Sequence, residues 1–205
     1  MTSPRTVRLG PRFDDAFLFA AAKHRAQTRK GTDIPYISHL MSVAALVLEA
    51  GGDEDQAIAG LLHDVVEDCG GKQILEQVRR RFGDRVAKIV QGCTDAFVLP
   101  KPPWKRRKLD YLEVLRKADD DIRLVSAADK LHKVRTILTD YRSEGDSVWE
   151  RSSGRRDGTL WYYRAVLDVL QAGKTNRLVD ELQRAVTELE TLTTKRIDKT
   201  ARCLN

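Results

Sequence analysis

The sequence predicts an all-α protein, a single helical bundle of about eight to ten helices. Three observations predict it. Apolar residues recur at helical spacing through almost the whole chain, helix start and stop signals punctuate that pattern, and no segment alternates apolar and polar residues as a half-buried strand would. No internal repeat is present, and 205 residues suffice for one domain with a sizeable core.

The elements follow in chain order. Residues 1–12 read as an N-terminal extension. Phe13 to Thr28 is expected to be helical, with Asp14 and Asp15 near its positive end and Arg29-Lys30-Gly31 closing it, charges that suit the helix dipole. Gly31 to Pro35 is a connecting loop. Ile37 to Ala50 is the next helix, stopped at Gly51-Gly52. Asp53 with Gln56 has the spacing of a capping box and opens a helix expected to run unbroken to Asp68, before Gly70-Gly71. Further helices are expected over Gln73–Arg81 and, capped by Asp84, up to Cys93. Thr94 to Pro103 carries three prolines and is irregular. Helices resume at Trp104–Arg116 and Asp120–Asp140. A polar loop spans Ser143 to Gly158. Thr159 starts a helix to Ala172 and Thr175 a last one to Lys195, so the domain occupies 13–195 and residues 196–205 form a frayed tail.

Composition narrows the function classes. Apolar residues make up 41% and charged residues 32%, a globular balance. No apolar run approaches the roughly 20 residues that span a bilayer, and no signal peptide precedes the domain, so a cytoplasmic protein without membrane contact is expected. The three cysteines form no CxxC and read as reduced thiols. A net charge of +6 favours polyanions. Nucleic acid is not the expected partner, because no recognised nucleic-acid module is present. Oligomeric state cannot be read.

The chemistry concentrates in Leu61-Leu62-His63-Asp64-Val65-Val66-Glu67-Asp68. On one helix, Glu67 and Asp68 follow His63 and Asp64 by four residues, so four ionisable groups crowd one turn behind a core-facing run. Unpaired buried charge is costly, and a divalent cation bound by the imidazole and a carboxylate would resolve that cost. A solvated acidic helix end would account for Glu67 and Asp68 alone but explains His63 and Asp64 poorly. His39 begins one apolar helix, and Asp129 lies in another apolar stretch. Each alone reads as a core polar group. Together they give the order His…His-Asp…Asp, which resembles the metal signature of the HD superfamily. Mixed nitrogen and oxygen ligands suit Mn²⁺ or Fe²⁺, and less often Zn²⁺.

The resemblance extends further. His24 to His39, Leu61 to Asp68 and Ala128 to Arg135 resemble the three motifs of RelA/SpoT-type hydrolase domains. The Arg-Phe-Gly-Asp84 break, Leu99-Pro100-Lys101 and Thr175-Asn176-Arg177 resemble metazoan small alarmone hydrolases of that family. The likeness covers residues 13 to 185, and no synthetase domain is expected after it. It implies an HD-domain bundle that uses Mn²⁺ to hydrolyse the 3′-pyrophosphate of (p)ppGpp-type nucleotides. It implies metal ligation by His39, His63, Asp64 and Asp129. Glu67 and Asp68 would activate or position the attacking water, and Arg29, Lys30, Lys101 and Thr136 would contact the nucleotide polyphosphate, with the Arg29 guanidinium on the purine face. His24 is expected to be structural, and His132 to pack or support a ligand. An aromatic from Tyr162-Tyr163 is expected to line the cleft, without the sequence saying which. One departure stands out: Lys133 stands where the family usually has Asn, and its added length and charge are expected to meet the substrate beside the phosphates. The added charge leaves guanosine or adenosine open as the nucleoside. Two other readings remain: an HD phosphohydrolase acting on NADPH or dNTPs, and an inert basic module that binds RNA or protein.

Overall fold

The computed structural model describes the backbone of residues 7–98, 100–174 and 176–203, with side chains up to 194. Leu99 and Thr175, named above in motifs and as a helix start, lie outside the described residues, as do residues 1–6 of the expected extension. The elements are α1 (Pro11–Lys23), α2 (Ile37–Glu49), α3 (Glu54–Leu62), α4 (Val65–Cys69), α5 (Gly71–Phe82), α6 (Asp84–Cys93), α7 (Trp104–Arg116), α8 (Asp120–Glu144), a 3-10 helix (Gly145–Arg151), α9 (Arg155–Gln171) and α10 (Arg177–Cys203). The described residues contain no strand, only one isolated bridge between Thr28 and Pro35. Among the described residues, no helix is long and apolar enough to cross a membrane.

The bundle is organised around α8, which packs against α2, α3, α6, α9 and α10. A helix buried all round belongs in a core, and every residue from Val125 to Leu131 is buried. Asp129 and Lys130 therefore sit at the centre of the molecule. On one flank, α2 and α3 cross closely. A Cβ at Gly60 would lie 3.1 Å from the Ala44 Cα, so only glycine permits this approach without a shift. The crossing brings His39 at the start of α2 beside His63 at the end of α3.

Local signals explain several boundaries. The capping box forms: Asp53 Oδ1 accepts from the Gln56 amide at 3.1 Å, and the Gln56 side chain accepts from the Asp53 amide at 2.8 Å. Gly51 follows α2 at φ +83°, the left-handed turn that ends a helix. Asn176 starts α10 by accepting from the Leu178 amide at 2.9 Å.

Other boundaries differ from expectation. The first helix stops at Lys23, five residues before Thr28. Beyond it the Arg29 amide donates to the Ile34 carbonyl (2.8 Å) and the Tyr36 amide to the Gln27 carbonyl (2.9 Å), folding 27–36 into a hairpin-like loop. Arg29 and Lys30 are thus loop residues and do not cap a helix. The expected helix to Asp68 breaks at His63-Asp64, giving α3 and α4. Asp84 lies in the first turn of α6 and makes no cap bond; Gly83 occupies the cap position. Helix α8 continues to Glu144, and the expected polar loop contains the 3-10 helix and the first turn of α9. Helix α10 runs to Cys203, so residues 196–203, expected as a tail beyond the domain, continue the last helix.

Candidate metal centre and nucleotide cleft

Four side chains from α2, the α3–α4 break and α8 converge. One ligand atom from each of His39, His63, Asp64 and Asp129 lies within 4.8 Å of the others, and all four residues are buried. His39 Nε2 is 3.1 Å from Asp129 Oδ1 and 3.4 Å from Asp64 Oδ2; His63 Nε2 is 3.0 Å from Asp64 Oδ2 and 3.4 Å from Asp129 Oδ1. The break at His63-Asp64 lets both side chains enter the cluster. The Asp68 amide still donates to the Asp64 carbonyl across it.

The ring orientations expose lone pairs. His63 Nδ1 donates to the Gly60 carbonyl at 2.8 Å, which turns Nε2 to the cluster, an acceptor once the ring is neutral. His39 Nδ1 lies 2.8 Å from His132 Nδ1. Burial, then the neighbouring His39 and Arg29, push His132 down to about 3, so its ring is neutral. With the His39 Nε2 lone pair turned to the cluster, His39 Nδ1 would carry the proton and His132 would accept from it. His132 thus supports a cluster residue, in line with its expected supporting role. Among the described residues, His39 Nε2, His63 Nε2 and Asp129 Oδ1 are buried without a hydrogen-bond partner, an arrangement that normally demands explanation. The cluster also draws positive charge. Burial opposes charge on His63, yet the Asp64 and Asp129 carboxylates push it up to about 9. Lys130 pairs with Asp129 Oδ2. Lys133 Nζ lies 2.9 Å from Asp129 Oδ1 and 3.7 Å from Asp64 Oδ2. Two imidazole nitrogens and two carboxylates around one point fit a divalent cation.

Two connected cavities adjoin the cluster. The smaller, of 210 Å³, is walled by Asp64, Glu67, Asp68, Asp95, Lys130 and Tyr162 among others. The larger, of 440 Å³, holds Arg29, Lys101, Thr136, Trp149 and Tyr163. Lys30, Tyr36, Glu67, Lys108 and Lys133 line both. Both tyrosines therefore face the site, one in each cavity. Lys101 Nζ bridges Glu67 Oε1 (2.8 Å) and Asp68 Oδ1 (3.1 Å). Burial and then the charges of Asp95 and Asp64 hold the Glu67 carboxyl above its ordinary range. Asp95 stays charged below its range despite burial, because Lys108 and Arg107 pair with it, Arg107 at 2.5 Å. Of the side chains expected in the site, Arg29, Lys30, Asp64, Glu67, Asp68, Lys101, Lys133 and Thr136 line these cavities, and His39, His63 and Asp129 complete the cluster with Asp64.

Sequence reasoning missed Tyr36, whose hydroxyl donates to Asp64 Oδ2 at 2.5 Å, along with Lys130, Asp95 and Arg107. Tyr36 stands within a quoted motif and Lys130 directly after Asp129, so position was the available signal. Asp95 had none. His24 is structural, as expected: buried, it stacks on Tyr36 with ring centroids 5.3 Å apart.

The geometry coincides with a known family. A model of the HD domain matches residues 16–160, more than half of the sequence, and the chain belongs to the HD-domain family. It is 37% identical over 126 residues to the guanosine-3′,5′-bis(diphosphate) 3′-pyrophosphohydrolase MESH1 of Xenopus tropicalis, a match covering 60% of this chain and 68% of that one. It is 38% identical over 125 residues to the guanosine-3′,5′-bis(diphosphate) 3′-pyrophosphohydrolase of Aquifex aeolicus, covering 60% of this chain but only 17% of that much longer protein. A solved structure of a metazoan SpoT orthologue that hydrolyses ppGpp superposes with a TM-score of 0.74 at 30% identity, covering 89% of this chain and 98% of that one.

Proposed function

We propose that the chain is a metal-dependent phosphohydrolase that removes the 3′-diphosphate from guanosine or adenosine 3′-diphosphate 5′-polyphosphates as pyrophosphate. The observation that carries this reading is the buried His39-His63-Asp64-Asp129 cluster, placed where a small lysine-lined cavity joins a larger aromatic cleft. The reaction named for the relatives supports it. His39, His63, Asp64 and Asp129 would hold the metal, for which we propose Mn²⁺, with Fe²⁺ or Zn²⁺ as substitutes. When bound, it supplies Lewis acidity toward the phosphoryl group and acidifies a water.

The remaining steps belong to the chain's own groups. Glu67 and Asp68 take the proton from the water that attacks the phosphorus on the 3′ oxygen. The bond from that phosphorus to the 3′ oxygen breaks, pyrophosphate leaves, and a proton ends on the 3′ oxygen. The raised Glu67 carboxyl is a stronger base than an ordinary glutamate. Lys101, Lys130 and Lys133 offset the charge of the phosphates, and Arg29, Lys30 and Thr136 hold the nucleoside in the larger cleft. A cytoplasmic location belongs to this reading, supported by the nucleotide substrate class.

The test is a nucleotide panel on the metal-loaded protein, with separate pyrophosphate and orthophosphate readouts. Pyrophosphate release from 3′-diphosphate nucleotides is expected. Orthophosphate from NADPH, or triphosphate release from dNTPs, would replace this reading with another HD phosphohydrolase. No turnover on any member would leave a binding module.

A further inference from the structure

The cleft contains a polar group that the chemistry above does not use. Asp129, Lys133, Thr136 and Asp140 fall at i, i+4, i+7 and i+11 on α8, one continuous face of a helix. The first belongs to the metal cluster, and the other three line the larger cavity. At 1.5 Å per residue the row is about 16 Å long, so Asp140 stands at the end of the cleft remote from the phosphates. The same cavity is lined by the apolar or aromatic Ile137, Val148 and Trp149 and by the polar Arg151, Ser152 and Ser153. A few placed polar groups fix orientation and identity in such a site.

The Asp140 carboxylate is held but not used up. Its Oδ2 accepts from Arg151 Nη1 at 3.1 Å, and its Oδ1 takes no protein donor among the described residues. The side chain remains 28% exposed, toward the cleft. Arg151 is itself fixed by Glu144, and it abuts the loop that carries Arg29. A Cβ on Gly31 would meet the Arg151 side chain at 2.9 Å. Arg29 and the Asp140 carboxylate thus line one cavity, on segments that meet through Arg151.

We infer that Asp140 reads the hydrogen-bonding edge of the purine and selects guanine over adenine. The inference rests on the nucleotide reading of this cleft and deepens it. Guanine presents two adjacent donors, N1–H and the 2-amino group, which match the two oxygens of a carboxylate. Adenine presents the N1 lone pair there, which a carboxylate repels. A charge-assisted pair of this kind supports roughly 10- to 100-fold discrimination.

The experiment compares kcat/KM for guanosine, inosine and adenosine 3′-diphosphate 5′-diphosphates on the metal-loaded full chain and on Asp140→Asn. Calorimetric binding of GDP and ADP to both proteins runs alongside. The wild-type protein is expected to prefer guanosine over adenosine by at least tenfold, with inosine, which lacks the 2-amino group, between them. Asp140→Asn should remove or reverse that order, because its amide accepts from the adenine amino group and donates to adenine N1. Its metal content should be unchanged. Equal wild-type use of guanosine and adenosine would overturn the inference. So would a variant in which all three substrates fall by the same factor, the mark of a merely structural Asp140–Arg151 pair. Absence of turnover on every substrate would instead overturn the hydrolase reading, and the GDP and ADP affinities would still decide the role of Asp140.

Discussion

Replacing Lys133 with methionine should tighten metal binding. The ammonium contacts the same two carboxylate oxygens that a cation in the cluster would use, 2.9 Å from Asp129 Oδ1 and 3.7 Å from Asp64 Oδ2. The shorter contact is a close ion pair with a buried carboxylate, without hydrogen-bond alignment, and close charge pairs couple by about 1.5 kcal/mol or more. The longer one exceeds hydrogen-bond length and adds little. The side chain is 29% exposed, so solvent screening favours the lower end. Breaking this contact is a cost that an incoming cation must offset, and Lys133→Met abolishes it. At 1.4 kcal/mol per decade, the Mn²⁺ Kd should fall about tenfold. A competition titration against a metal-binding indicator measures this. The same variant should raise KM for polyphosphate nucleotides more than it lowers kcat, because a phosphate contact made in ground and transition states alike acts on binding. An unchanged or weaker Mn²⁺ affinity would refute the reasoning and leave the ammonium outside the metal's way.

Three further outcomes are expected. Asp129→Asn should remove most of the bound metal, as measured by elemental analysis, because a neutral amide is a far poorer ligand than a carboxylate; full metal retention would displace Asp129 from the ligand set. Glu67→Gln should keep metal and fold while lowering turnover by ~10²-fold or more, and loss of metal would make Glu67 a ligand instead. Gly60→Ala should lower Tm and metal affinity together, because its methyl would meet the Ala44 backbone at 3.1 Å and push α2 from α3, separating His39 from His63; an unaffected metal affinity would show that the crossing does not set the cluster.

What the sequence revealed was what local rules govern. The Asp53–Gln56 box needs only four residues and formed as read. The cluster was legible because His39, His63-Asp64 and Asp129 interrupt apolar runs where an isolated polar group is costly. Non-local causes hid the rest. Nothing in His24-Arg-Ala-Gln-Thr28 forbids a helix. The chain leaves it there because His24 is buried against Tyr36, and Gln27 donates to Asp68 Oδ2 at 3.0 Å, 41 residues away. The break at His63-Asp64 has no glycine or proline to mark it and coincides with two side chains entering one cluster. Asp95 gains its place from Arg107 and Lys108, more than ten residues away, and Asp140 from the 3-10 helix that carries Arg151, a segment that reads as a polar loop.

Helix α8 has one more consequence, for the kinds of change this protein tolerates. Its residues keep a common phase of 100° per position, so Asp129 near its middle and Asp140 near its C-terminus face the same side only while the count between them is kept. A substitution along that face retunes what is bound and leaves the register intact. Inserting or deleting one residue between them would swing one end by about 100° relative to the other, carrying either Asp129 out of the cluster or Asp140 out of the cleft. Variation in length should therefore be confined to the loops around the bundle, while variation in selectivity accumulates by point changes at positions 133, 136 and 140.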